Sequence, residues 1–293
     1  MSKEAEHPGV VVGIDGSSGS DIALRWAARD AELRGVSLTI VHVVPPSSGH
    51  WRESSAMPTW MRARRERGHH LLEEARRTVA ASTRSVDIVS HMPSAHAVSA
   101  LVDLSKNANL LVVGCLGAGT LRGRHLGSVS SGLIHYAHCP VAVIHDGTSE
   151  ASDPEGPVLV GIDASPGAQA AAAIAFDEAA QRETGLVAMH AWKDVSVFDS
   201  AVSFAGHRWP ALHAREEAVL DEQLAPWRER YPDVPVRRVI VRDEAARALL
   251  DMSVTAQLVV VGSHGSGGFA GMLLGSISAA TVLLARVPVI VAR

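Results

Sequence analysis

Two fifteen-residue stretches, GCLGAGTLRGRHLGS at 114–128 and GSHGSGGFAGMLLGS at 262–276, share the pattern GxxGxxxxxxxxxGS. Each lies downstream of an acid, Asp15 or Asp163, that ends a short apolar run. Glycine at Gly117, Gly127, Gly265 and Gly275 removes side chains where backbone must approach a ligand closely. A helix starting directly after each loop would turn the N–H groups of Ser128, Val129 and Ser130, or of Ser276, Ile277 and Ser278, toward an anion such as phosphate. A nucleotide phosphate chain suits this arrangement. Arg122 and Arg124 add positive charge to the first loop, whereas SGGFAGMLL at 266–274 carries none, so weaker binding is expected in the second copy. The competing reading is conformational: glycines after a strand make a tight turn, and Asp15 and Asp163 form Asx turns into the next helix. The two readings are compatible. No GxxxxGK[ST] loop is present and the first-strand ends lack a GxGxxG turn, which disfavours P-loop ATPases and NAD enzymes. Nor does the loop supply an arranged nucleophile and base.

The motif is doubled because the whole chain is doubled. VVVGIDGS at 10–17 returns as VLVGIDAS at 158–165, and the same offset carries His42 onto His190, LVDLS at 101–105 onto LLDMS at 249–253, and Pro140-Val141 onto Pro288-Val289. An unchanged offset means two copies of one domain with no net insertion. DGTSEASDPEGP at 146–157 reads as the linker, placing the domains at 1–150 and 151–293.

The elements that must position the loops follow from periodicity. In the first copy VVVGI (10–14), SLTIVHVV (37–44), VDIVSHM (86–92), NLLVVG (109–114) and PVAVIH (140–145) are strand-like runs. Between them fall helices from Ser17 to Gly35, near 58–83, at 97–106 and near 128–137, with Ser17 as N-cap and Gly35 past the C-terminus. The first helix is expected to bury a stripe of Ile22, Trp26 and Leu33. Pro166 after Ser165 is the matching N1 signal in the second copy. Alternating strands and helices imply right-handed crossovers and a five-stranded parallel sheet. Each half is therefore an α/β, doubly wound, Rossmann-like domain. Ligands of such sheets bind outside the carboxyl ends of the strands, where strand order reverses.

Composition narrows the function. The 293 residues are 47% apolar and 20% charged, enough to bury a core, and the net charge of −4 lacks the basic excess of a nucleic-acid binder. The first nine residues hold no apolar signal region and no stretch is long and apolar enough to span a bilayer, so a cytoplasmic protein without a membrane span is expected. Two cysteines make no disulfide framework, and Cys115 is matched by Ser263 in the second copy, so the loop does not need a thiol. His42 and His190 read as histidines satisfied by backbone, and His135, His138 and Cys139 as an ordinary helix end rather than a zinc site. RARRERGHH at 62–70 reads as a solvated helix face. The apolar closing strands VAVIH and VIVAR are edges that invite pairing, of the two halves or of two chains, and a homodimer of four similar domains is expected.

The strand-end Asp in VVGID and LVGID, the glycine loops and the closing CPVAVI and VPVIVA segments together resemble the universal stress protein family over nearly the whole chain. More narrowly they resemble its tandem, ATP-binding actinobacterial members, linked with stress, dormancy and growth control. The resemblance implies a strand order of 3-2-1-4-5, an adenine nucleotide in the crevice between first and fourth strands, and association through the fifth strand. It implies that Asp15 lies near ribose and phosphates or a divalent ion such as magnesium, and that Val43 meets adenine through its backbone. Gly114, Gly117, Gly127 and Ser128 would wrap ribose and phosphates, with Gly13 beside the base. The equivalents are Gly161, Asp163, Ala191, Gly262, Gly265, Gly275 and Ser276. Family loops often carry an arginine after the second glycine, where this chain has Ala118 and Ser266. The function implied is that of a nucleotide-responsive regulator with slow or absent hydrolysis. Two alternatives stay open: a slow ATP hydrolase or nucleotidyl-transfer enzyme using Asp15 and a metal, and a nucleotide-free oligomerising stress protein.

Overall fold

Short runs of valine, isoleucine and leucine, alternating with helices, set the architecture. The computed structural model describes residues 9–46, 59–117, 126–145, 155–163, 165–192, 205–242, 244–265 and 274–293. The chain divides into two units, Met1–Asp146 and Gly147–Arg293.

Unit 1 runs β1 (Val10–Gly13), α1 (Ser18–Arg34), β2 (Leu38–Val41), α2 (Thr59–Ser82), β3 (Ile88–His91), α3 (Ala97–Ser105), β4 (Leu110–Gly114), α4 (Ser128–Tyr136), β5 (Val141–Ile144). Its strands lie in the order β3-β2-β1-β4-β5 and every pairing is parallel, with Val10 beside both Leu38 and Leu110. Apart from terminal glycines, every residue of β1, β2, β4 and β5 is buried, as expected of strands covered on both faces. Unit 2 repeats the plan with β6 (Val158–Ile162), α5 (Pro166–Gln181), β7 (Leu186–Trp192), α6 (Ala205–Arg230), β8 (Val236–Arg242), α7 (Ala245–Ser253), β9 (Leu258–Gly262), α8 (Ser276–Leu284), β10 (Val289–Ala292). Its order is β8-β7-β6-β9-β10, again parallel. Each sheet therefore has the order 3-2-1-4-5 in its own numbering.

The caps act as their residue types require. Ser17 accepts from Ser20 N and Ser165 from Ala168 N, both at 3.2 Å, with Pro166 opening α5. Gly35 closes α1 in the left-handed region at φ 63. Glu183, one repeat later, adopts the same conformation at φ 51 without glycine's freedom.

The expected stripe of α1 is corrected. Ile22 and Trp26 are half-buried and Leu33 is exposed, while Ala23, Leu24, Ala27, Ala28 and Ala31 face the sheet. The reason is distance: a Cβ at Gly114 would lie 2.8 Å from the backbone of Gly19, so the helix start rests almost directly on β4. Mostly small side chains line that seam, Leu24 excepted, and Ile22, Trp26 and Leu33 turn away from it. No helix among the described residues is long and apolar enough to cross a membrane.

Candidate functional site

The carboxyl ends of β1 and β4 lie side by side at the centre of the unit 1 sheet, where the chain leaves in opposite directions. That divergence opens a cleft of about 320 Å³. Gly13, Asp15, Val43, Gly114, Gly117, Gly127, Ser128, Val129 and Ser130 all line it. Arg122 and Arg124 fall outside the described residues, as do Ala118, Ser266 and most of the 266–274 loop. Pattern reading overlooked the apolar wall of Val41, Ala97, Leu101 and Val113, although LVDLS and LLDMS had marked Leu101 and Leu249 as a repeated position.

Asp15 is tied to the helix it precedes. Its Oδ1 accepts from Ser17 N at 3.0 Å and from Ser17 Oγ at 2.6 Å, and Ser17 Oγ in turn caps α1. The conformational reading of Asp15 therefore holds as geometry. The other oxygen, Oδ2, sits where the glycine loop returns: a Cβ at Gly117 would meet it at 2.7 Å. Unit 2 repeats this detail. Asp163 Oδ1 accepts from Ser165 N at 2.9 Å and from Ser165 Oγ, and a Cβ at Gly265 would meet Asp163 Oδ2 at 2.7 Å.

The loop is closed by hydroxyls. Gly127 N donates to Cys115 O at 2.9 Å, and Ser130 Oγ, buried, donates to Gly114 O at 2.7 Å and lies 3.2 Å from Cys115 O. Gly275 N to Ser263 O at 2.8 Å and Ser278 Oγ to Gly262 O at 2.5 Å do the same work in unit 2. The second serine of each SxS thus contributes its side chain as a clamp, beyond the backbone N–H expected of it. Cys115 itself is buried. Gly127 and Gly275 are N-caps that provide no side-chain acceptor, so the first N–H groups of α4 and α8 look outward. Ser128 and Ser276 are exposed there, with Val129 half-buried and Ile277 exposed.

The repeated glycines separate into kinds. At Gly114 and Gly262 a Cβ would collide with backbone of the first helix, and at Gly13 and Gly161 it would press on Leu101 and Leu249 at 3.2 Å. Packing alone accounts for these four. Gly117 and Gly265 are different, since their missing side chains leave room beside the acid that faces the loop.

His42 Nδ1 donates to Ile14 O at 3.0 Å and His190 Nδ1 to Ile162 O at 2.8 Å, tying each second-strand end to the first. His190 Nε2 also lies 3.2 Å from Glu216 Oε2, where the first copy has Gly68. Ala191 lies within β7, one residue beyond His190. Among the described residues no three His, Cys, Asp or Glu side chains converge as protein-held metal sites require.

Comparison with known proteins agrees with this architecture. The family model described as the universal stress protein family matches residues 9–145 and again 156–293. The chain belongs to the universal stress protein family, as a tandem pair of its domains. A universal stress protein of Mycobacterium tuberculosis (strain H37Rv) is 51% identical over 297 residues, covering 100% of this chain and 99% of its own. Another, from Mycobacterium bovis, is 46% identical with the same coverage. Among solved structures, a universal stress protein from Archaeoglobus fulgidus aligns with a TM-score of 0.71 at 20% identity, covering 98% of this chain and 99% of that one.

Proposed function

We propose that each unit binds an adenine nucleotide, ATP with magnesium, at the divergence of its first and fourth strands, and that the bound nucleotide makes the protein a regulator of stress adaptation, dormancy or growth. The observation that carries this reading is the mixed lining of the cleft. Val41, Val43, Ala97, Leu101 and Val113 give it apolar walls suited to a base. The lining also includes bare backbone at Gly117, Gly127 and the outward N–H groups at the start of α4, which suit phosphates. Asp15 Oδ2 lies beside Gly117. Magnesium is typically held by one or two carboxylates together with substrate phosphates and water. A single strand-end acid fits that donor set, and Asp163 offers the same in unit 2. When bound, the ion would neutralise phosphate charge.

The side chains at the cleft bind and orient rather than react. Ser130 and Ser17 spend their hydroxyls on the loop and the helix cap, and His42 spends Nδ1 on a carbonyl. The protein acts through occupancy, with hydrolysis slow or absent. Binding is weaker in the second unit, whose loop lacks the arginines at 122 and 124. The working form is a cytoplasmic homodimer. Denaturing the purified protein and identifying the released small molecules by mass tests this reading. Adenine nucleotide is expected, and its absence, with no response to added ATP, would defeat it.

A further inference from the structure

The first turns of α2 are not explained by the fold. From Thr59 to Arg67 the helix is exposed on almost every side, with Met61 alone half-buried and Trp60 retaining 58% of its accessible surface. The first residue taken into the body is Gly68, followed by Leu72, Ala75 and Val79. A helix face normally has a buried counterpart, and here the counterpart begins only after the basic cluster.

Arg62, Arg64, Arg65 and Arg67 project from this stretch with Glu66 as its one acid, and the first helical turn holds no acid. Among the described residues none of the four arginines pairs with a carboxylate. Cations at the positive end of a helix dipole repel it, and Arg62 with Arg65, or Arg64 with Arg67, are like charges three residues apart. Nothing in the architecture demands this cost. The second copy carries Pro210, Leu212, His213 and Arg215 at the four equivalent positions, so the cluster belongs to the first copy alone.

We infer that the start of α2 is a docking surface for an acidic segment of a partner protein, with Trp60 as its apolar anchor. Arginine presents a planar fork that carboxylates engage in pairs, and tryptophan and arginine together are the residues richest in protein-binding hot spots. The patch is short: eight residues of helix rise about 12 Å, the reach of a few carboxylates. A nucleic acid needs a longer run of neutralised phosphates on a chain whose net charge is −4. A membrane surface needs an apolar helix face, and that of α2 is already committed to the core.

The test is fluorescence anisotropy of the full-length protein with a fluorescein-labelled peptide of about eight residues, mostly glutamate, which spans the patch. The parent is expected to bind it, more weakly as salt rises. Arg62→Glu/Arg64→Glu/Arg65→Glu/Arg67→Glu should bind at least about tenfold more weakly, and the corresponding glutamine quadruple variant should fall between. Circular dichroism of both variants should match the parent, because the positions are exposed. Absence of peptide binding by the parent overturns the inference, as does equal binding by the reversed variant. Tighter arginine-dependent binding of a single-stranded oligonucleotide or of anionic vesicles than of the peptide also overturns it.

Discussion

Replacing Gly117 by alanine puts a methyl group 2.7 Å from Asp15 Oδ2. That is about 0.7 Å short of ordinary contact, so either the carboxylate or the loop must move. The carboxylate is tethered, because Oδ1 holds both Ser17 N and Ser17 Oγ. Rotating it far enough to clear the methyl sacrifices one of these bonds, at about 1 kcal/mol for so exposed a group. For a unit of this size the unfolding midpoint should fall by about 3 °C. The effect on ligand should be larger, since the acid and the loop backbone are displaced together. An affinity for magnesium ATP about tenfold weaker at the first site, or about 1.4 kcal/mol, is expected by calorimetry. On an Asp15→Ala background the colliding oxygen is gone, and Gly117→Ala should then change stability by less than about 0.5 kcal/mol. Parent-like affinity in Gly117→Ala, or the same stability loss with and without Asp15, would refute the reasoning. Gly265→Ala with Asp163→Ala repeats the test in unit 2.

Four other expectations follow from the same geometry. Ser130→Ala removes the hydroxyl that holds Gly114 O and should destabilise unit 1 by about 1–2 kcal/mol in urea while loosening the loop, seen as faster amide exchange at Gly127; unchanged exchange contradicts it. Gly114→Ala forces a methyl onto Gly19 backbone and should cost about 1–3 kcal/mol, with a parent-like urea midpoint as the contrary result. Glu183→Gly relieves a left-handed non-glycine residue and should raise stability by about 1 kcal/mol, so a lowered midpoint argues against the cap assignment. The hydrogen bond from Lys106 and its charge hold the exposed Asp103 carboxyl below its ordinary value. The contribution of that group is present above its unfolded-state value and fades as pH falls through the lowered folded-state value. Lys106→Gln should raise the Asp103 titration midpoint measured by NMR, and an unmoved midpoint contradicts the pairing.

The elements most legible in the sequence were those that a single residue type decides. Ser17 and Gly35 bracket α1, Pro166 follows the Ser165 cap of α5, and uninterrupted β-branched runs mark strands buried on both faces. Strand ends were less sharp: 37–44 shortens to Leu38–Val41, although Val44 N still reaches Pro93 O at 3.0 Å. The buried face of α1 was misread because bulk suggested Ile22 and Trp26, whereas the close seam between α1 and β4 selects alanine. That seam exists only in three dimensions. The same is true of the glycines, since spacing cannot distinguish Gly114, which yields to a neighbouring helix, from Gly117, which yields to an acid. The clamp made by Ser130 was hidden for a like reason, its acceptors lying sixteen and fifteen residues earlier. The solvated reading of the basic stretch in α2 described its exposure but not the missing buried counterpart.

The central claim is that the cleft between β1 and β4 holds a phosphorylated adenosine. Isothermal titration of the nucleotide-stripped full chain with magnesium ATP tests it most directly, alongside the Asp15→Ala/Asp163→Ala variant. Saturable heat in the parent that is strongly reduced in the variant is the predicted result. A parent that gives no heat, or a variant that binds as the parent does, would contradict the account.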